Sequence, residues 1–412
     1  MAFPTETDFP IQIDNMAFGK NKLKAIRIPD NTEKLTKWAF IQNPGKEAVS
    51  DSATSNEKKG GVVHLYVSTK DRLGSMVETV NNGKSNVQKI IVGDMPNTDL
   101  PWNVTDFTYN TEGTAITGLS DTGKEKIKNK PALVLPDKGP SGKLITEIGN
   151  GVNGVGLFGV KDGETTYEPE SVELPSGLTT IGNFAFSGSK FKSIAFPETL
   201  TTIGMSAFSN SALESVSLPD SVTTLGQGAF TNSTNLKSVR ISSGLKTISA
   251  SAFLMTAIED LTVPEGVTTI DRMAFSGAHV KSVKLPSTLT TIGSSAFMNH
   301  QIASLTIPEN VTEIGSSAFT VTQDGLDHSL TSLTLNGKLE SIGSGAFKNS
   351  SLESVEIPST LKKLNIGAFA DKKMEGQVKK VQLKTADKSV IENAPKTFAV
   401  KGYGHEVVYD KL

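Results

Sequence analysis

The chain has 412 residues, 41 basic against 43 acidic side chains, 37% hydrophobic residues and no cysteine. Balanced charge offers nucleic acid no basic face. Without cysteine there are no disulfides, iron–sulfur clusters, thiolate zinc sites or cysteine nucleophiles. No apolar run approaches the ~18 residues that span a bilayer, so direct membrane insertion is not expected. The opening MAFPTETDF lacks the charged start and apolar stretch of a signal peptide. The chain is therefore expected to be a piece of a longer exported precursor whose signal and anchor lie elsewhere.

In chain order, Phe18 and Phe40 come first, as the ends of NMAF and KWAF. Between them, LKAIRIPDNTEKLTKWAF (23–40) runs from a strand-like segment through a proline to the second anchor. A polar Gly/Ser-rich stretch at 45–61 reads as loop. VVHLYV (62–67) and VQKIIV (87–92) read as strands. GDMPNTDLPWN (93–103), with two prolines, is the candidate junction.

Beyond it, an Ala-Phe pair recurs at Phe186, Phe208, Phe230, Phe253, Phe275, Phe297, Phe319, Phe347 and Phe369. The step is roughly 22 residues, a near-fixed period of the kind that marks a repeat array. Only the step from Phe319 to Phe347 is longer, and Phe158, in GLF, extends the series by another long step. The text between anchors is shared: ALESVSLPDSVTTLGQGAF (212–230) aligns with HVKSVKLPSTLTTIGSSAF (279–297) and SLESVEIPSTLKKLNIGAF (351–369). In S-V-S-L (215–218) polar and apolar residues alternate at strand period, so Val216 and Leu218 point inward and Ser215 and Ser217 outward. Pro219 ends the strand, because it cannot donate to a ladder. Val222 and Leu225 return to the core, Gly226 is expected to turn with positive φ, and G-x-x-A-F is expected to make a short helical turn that buries Phe230. One unit cannot bury its apolar face alone, so units stack, with strands ~4.8 Å apart, into a parallel sheet roughly 40 Å long. Columns of Phe, Val/Leu and Ile/Leu follow.

The L-P-x-x-L-T-T-I-G-x-x-A-F text of 174–186, 218–230 and 285–297 resembles the BspA-type leucine-rich repeats of bacterial cell-surface proteins. The stretch at 116–151 resembles the opening unit of such arrays. The resemblance covers roughly 105–385. It implies a leucine-rich-repeat solenoid, a right-handed β/α superhelix that is mainly β, together with surface exposure and adhesion. The organisation expected is a divergent repeat region over 1–104, the array over 105–384 with its opening β unit at 105–151, and a cap over 385–412. The tail supplies one more strand, VKKVQL (378–383), and FAVKGYGHEVVYDKL closes the open edge.

Two repeats carry insertions, GVKDGETTYEPE (159–170) and TVTQDGLDHSL (320–330). Both read as drifting surface loops, with a binding face as the alternative. Their acids, Asp162, Glu164, Glu168 and Glu170, then Asp324 and Asp327 with His328, lack the spacing of a calcium loop. His279, His300 and His328 read as solvated turn residues, with a zinc cluster as the alternative. KEKIKNK (124–130) reads as a solvated loop, with phosphate attraction as the alternative. Trp38 and Trp102 read as packing residues. The serine column Ser193, Ser215, Ser238, Ser282, Ser304, Ser332 and Ser354, with Asp260 in one rung, is a repeat position, not a catalytic serine. Thr180, Thr202, Thr224, Thr247, Thr269 and Thr291 form a second polar column. No H-E-x-x-H, G-x-S-x-G or Walker loop is present. Neither an enzyme nor a cofactor or metal is expected.

The candidate binding face is the second exposed strand column: Ala195, Ser217, Arg240, Thr262, Lys284, Thr306, Thr334, Glu356 and Gln382. Lys237 and Lys281 are expected to make the middle rungs basic, and Glu353 to strengthen an acidic end. The partner expected is a host or matrix protein, or another cell-surface protein, engaged by a monomer. The alternative is a spacer that binds nothing.

Overall fold

The computed structural model describes 102–369, except 130, 131, 153, 163, 164, 323–329, 353, 366, together with isolated strands on either side. The chain divides into two compact units, Met1–Pro101 and Trp102–Leu412. In the first, strands Ala25–Arg27, Val63–Val67 and Val87–Val92 pair in parallel, and Ile11–Ile13 pairs with Thr32–Leu35. Loop 45–61 and Trp38 lie outside the described residues.

The second unit begins with a cap. Strand Phe107–Tyr109 pairs antiparallel with Ala115–Leu119, whose other edge starts the parallel stack at Glu147–Ile148. KEKIKNK is not a loop. Most of it lies in the helix Asp121–Ile127, capped by Ser120, whose hydroxyl accepts from Gly123 N. Lys126 on that helix is 1% exposed and pairs with the equally buried Asp106. Its Nζ also sits 5.3 Å from the centre of the Trp102 ring, which packs on Phe107 and donates Nε1–H to Ala132 O. Trp102 thus closes packing at the first rung, as its sequence position suggests.

Each following rung contributes a two-residue strand at the T-I position, and all but the rung at Ser193 contribute a short face strand as well. The T-I strands form two six-stranded sheets, one reaching from Phe107–Tyr109 to Thr224–Leu225, the other from Thr247–Ile248 to Lys363–Leu364. The break falls where Ser249 replaces the repeat's glycine and its hydroxyl donates to Leu225 O. The face strands pair in sets, Ser215–Ser217 with Ser238–Arg240, Asp260–Thr262 with Ser282–Lys284, and Ser304–Ile307 with Ser332–Leu335. One uninterrupted sheet is therefore not formed there, and Ser193 and Ala195 lie outside any strand. Past Phe369, Ser354–Glu356 pairs with Val381–Thr385, and that strand with Val407–Lys411. The closing segment thus adds a further parallel strand.

The core is a set of columns. Val216, Leu218, Val222, Leu225 and Phe230 are at most 4% exposed. The counterparts of Val222, Leu225 and Phe230 are buried rung after rung, while at the two strand positions Ile194, Val239, Val283, Phe196 and Leu285 are only partly buried. Phenylalanines from Phe186 to Phe369 stack with ring centres 5.2–5.4 Å apart and planes within 13° of parallel. That is offset stacking, imposed by strict register.

The G-x-x-A-F turn differs from expectation. No helix forms at it in any described rung. Two consecutive tight turns flank the phenylalanine, whose N–H donates to the alanine carbonyl of the next rung, as from Phe230 to Ala252 O at 2.8 Å. Left-handed backbone occurs two residues before the anchor (Ser206, Gly228, Ser295) and two after it (Asn210, Asn232, Asn299). Gly226 is not left-handed. It is glycine because a Cβ there would press into the backbone of Gly204 and Met205 in the neighbouring rung. Its N–H donates to Ile203 O across that gap at 2.7 Å.

Candidate functional site: the exposed strand face

Strand pleating puts one residue of each face strand into the core and the two beside it into solvent. Ser217, Arg240, Thr262, Lys284, Thr306, Thr334 and Glu356 are all exposed. The register brings Ser217 beside Arg240, Thr262 beside Lys284, and Thr306 beside Thr334. At the end, Glu356 lies opposite Lys384, while Gln382 lies opposite Ser354. The tail is thus shifted by two residues from the alignment that its sequence suggests. Glu353 lies outside the described residues.

The middle rungs are not a basic patch. Lys237 and Lys281 belong to the residue column just before each face strand, which reads Lys192, Glu214, Lys237, Glu259 and Lys281. Consecutive members are one rung apart, and opposite charges alternate. Lys192 pairs with Glu214 at 3.0 Å and Lys281 with Glu259 at 2.8 Å. In-register stacking of like charges is repulsive, and alternation removes that cost. Arg240 is likewise engaged: Nη2 holds both carboxylate oxygens of Asp220 at 2.8–2.9 Å, and Nη1 donates to Leu218 O at 2.7 Å. The Arg240 guanidinium, then the Ser243 N–H, hold the Asp220 carboxyl below its ordinary range. Glu265 is lowered in the same way by the N–H and hydroxyl of Ser287, and Asp137 by those of Ser176. These acids each clasp the next rung. The intervening glutamates were in the sequence, and reading the column one residue earlier reveals them.

The histidines separate. His279 is half-buried, and His328 lies outside the described residues. His300 is not a solvated turn residue: it is 2% exposed, with Nε2 3.1 Å from Phe319 O and Nδ1 accepting from Ile302 N at 2.9 Å. Burial pushes its pKa down to about 4. The first insertion is an antiparallel hairpin, Val160–Asp162 with Thr165–Tyr167, and burial raises the carboxyl of Glu168 beside it. Asp324 and Asp327 of the second insertion lie outside the described residues, as does Glu164. Among the described residues, no three His, Asp or Glu side chains gather as a metal site, and no helix is long and apolar enough to cross a membrane.

In-register rungs of near-constant length, a phenylalanine column and a parallel stack of short strands define a leucine-rich-repeat solenoid. The chain belongs to the BspA-type leucine-rich repeat family, whose profile matches six copies over 5–53, 165–279 and 250–375, more than half of the chain. Among solved structures it is similar to a leucine-rich repeat protein from Bacteroides ovatus, with 18% identity, 76% of this chain and 100% of that one covered, and a TM-score of 0.41. It is also similar to a leucine-rich cell surface protein from Faecalibacterium prausnitzii (19% identity, 73% and 97% covered, TM-score 0.33) and to the pneumococcal vaccine antigen PcpA (20% identity, 68% and 89% covered, TM-score 0.31). Comparison with curated protein sequences finds no match.

Proposed function

We propose that this protein is an extracellular or cell-surface binding module of bacterial origin that engages a host or matrix protein, or another surface protein, through its strand face. The observation that carries the reading is the face itself. Two residues of each face strand stand in solvent in fixed register, while the core is filled by other positions. Such a surface is free to vary without loss of fold, which suits a binding role. Few aromatics lie on it, so affinity per site is modest and contacts are multivalent. Membership of the BspA-type family supports the location.

The second reading is a spacer that binds nothing. It is favoured by the charge ladder, in which Glu214, Asp220 and Glu259 already hold Lys192, Arg240 and Lys281. A screen of the purified chain at physiological salt against immobilised matrix proteins, mucins and glycans separates the two. Saturable binding that weakens in Arg240→Glu/Lys284→Glu supports the binding face. Binding untouched by those changes moves the site off the middle rungs, and no binding across the panel leaves the spacer.

A further inference from the structure

A groove of about 350 Å³ crosses the rungs anchored by Phe230, Phe253, Phe275 and Phe297, beside the strand face. Thr234, Met255, Ala257, Glu259, His279 and Lys281 are among its lining residues. It exists because the side-chain lattice has a gap. The residue four beyond the anchor shrinks to Ala257 in one rung, and the residue two beyond it to Gly277 in the next.

The backbone at this groove departs from the pattern of its own repeat column. Two residues past the anchor, the left-handed position is Gly188, Asn210, Asn232, Gly277, Asn299 or Asn349, residue types that tolerate it. In the Phe253 rung the same position holds Met255, at φ 57 and 49% exposed. His279, four past its anchor, is also left-handed at φ 59, where no other described rung is. The repeat itself supplies relaxed alternatives at the Met255 position. A strained side chain that is not buried in the core points to a use outside it.

The chemistry of the lining narrows the ligand. Met255 and Ala257 give a small apolar floor, and a thioether adapts to varied aliphatic shapes. At the rim, Glu259 and Lys281 pair at 2.8 Å, each about half exposed, so opposite charges stand one rung apart. No Trp, Tyr or Phe ring lines the groove, so it lacks the broad flat platform on which a sugar face stacks, and the small His279 imidazole is the one planar ring in it. We propose that this groove is a subsite for an extended peptide segment in which an aliphatic side chain is flanked by one basic and one acidic residue. The aliphatic group lies over Met255 and Ala257, the basic group replaces Lys281 as the partner of Glu259, and the acidic group takes Lys281. This subsite stands whether or not the strand face binds a partner of its own.

The test is a titration of the full chain, labelled at the methionine methyls, with the peptides Ala-Arg-Leu-Asp-Ala and Ala-Asp-Leu-Arg-Ala, followed by NMR. The Met255 signal is assigned by its loss in Met255→Asn. The expected result is a saturable shift of the Met255 methyl with one or both peptides, absent with Ala-Ala-Gly-Ala-Ala. Ala257→Trp, which fills the groove, abolishes the shift. Met255→Asn holds or raises the thermal midpoint yet weakens binding, read by isothermal titration calorimetry with the same peptides, by about tenfold or more. A residue present only for structure would not separate stability from binding in this way. The proposal is overturned if neither charged peptide shifts the Met255 methyl, if Met255→Asn binds as the wild type does, or if a neutral oligosaccharide gives the saturable shift in their place.

Discussion

Replacing Phe253 probes the column on which the whole array is threaded. The ring is fully buried and stacks on Phe230 at 5.4 Å and on Phe275 at 5.3 Å, with planes within 4° of parallel. Phe253→Ala removes the ring and leaves a cavity that neighbouring rungs, fixed by their own ladders, cannot close. The loss is about 3–5 kcal/mol. Phe253→Leu keeps most of the apolar volume but forfeits two ring–ring contacts, each worth about 0.5–1.5 kcal/mol, so it costs roughly 1–3 kcal/mol. Stability in repeat arrays is carried by neighbour interfaces. The alanine variant is therefore expected to split one urea transition into two, as rungs on either side of Phe253 uncouple. Circular dichroism across a urea series reads both effects. A leucine variant as stable as the wild type would refute the stacking argument and reduce the column to apolar filler.

Three further outcomes follow from the structure. His300 is held neutral in the fold, with a pKa of about 4 against 6.5 for the free side chain. The unfolded chain therefore binds the extra proton between those values, and stability falls as pH drops from about 6.5 towards 4, by about 3 kcal/mol in all. Urea midpoints at pH 7 and pH 4.5 should differ less in His300→Gln, and an equal difference would contradict the assignment. In the cap, Asp106→Ala removes the carboxylate paired with the buried Lys126 and should cost about 3–5 kcal/mol, whereas Asp106→Leu/Lys126→Met should recover much of it; thermal melts of the three proteins decide. Gly226→Ala should cost about 1–3 kcal/mol by forcing neighbouring rungs apart, while Gly228→Asn, at a left-handed position, should be nearly neutral in the same melts.

The array was legible because its signal is covalent spacing repeated many times. A phenylalanine at the same place in every repeat cannot be packed in any way but a column, and the S-V-S-L alternation places Val216 inside and Ser217 outside without reference to distant contacts. What escaped depends on the neighbouring rung. Gly226 reads locally as a turn residue, yet its lack of a side chain answers the backbone of Gly204. His300 reads as a turn histidine until Phe319 O and Ile302 N are seen to occupy both ring nitrogens. Lys126 stands in a run of lysines that looks solvated, and only the cap's fold brings Asp106 to it. On the candidate face, Arg240 and Lys281 look like free cations in their own rungs. Their acids, Asp220 and Glu259, each sit one rung back, so the charge of the face is visible only after the rungs are aligned and read across.

Binding by the exposed columns is the property to measure most directly. Thr306 and Thr334 are neighbours on that face, exposed and outside the core. Thr306→Arg/Thr334→Arg therefore alters the surface without touching the stack. The measurement is a binding isotherm for the wild type and this double variant against whichever matrix, mucin or surface protein the panel yields, with melting temperature as the control. A saturable wild-type isotherm, weakened about tenfold or more in a variant that melts normally, is the predicted result. Identical isotherms, or no saturable binding to any member of the panel, would contradict it.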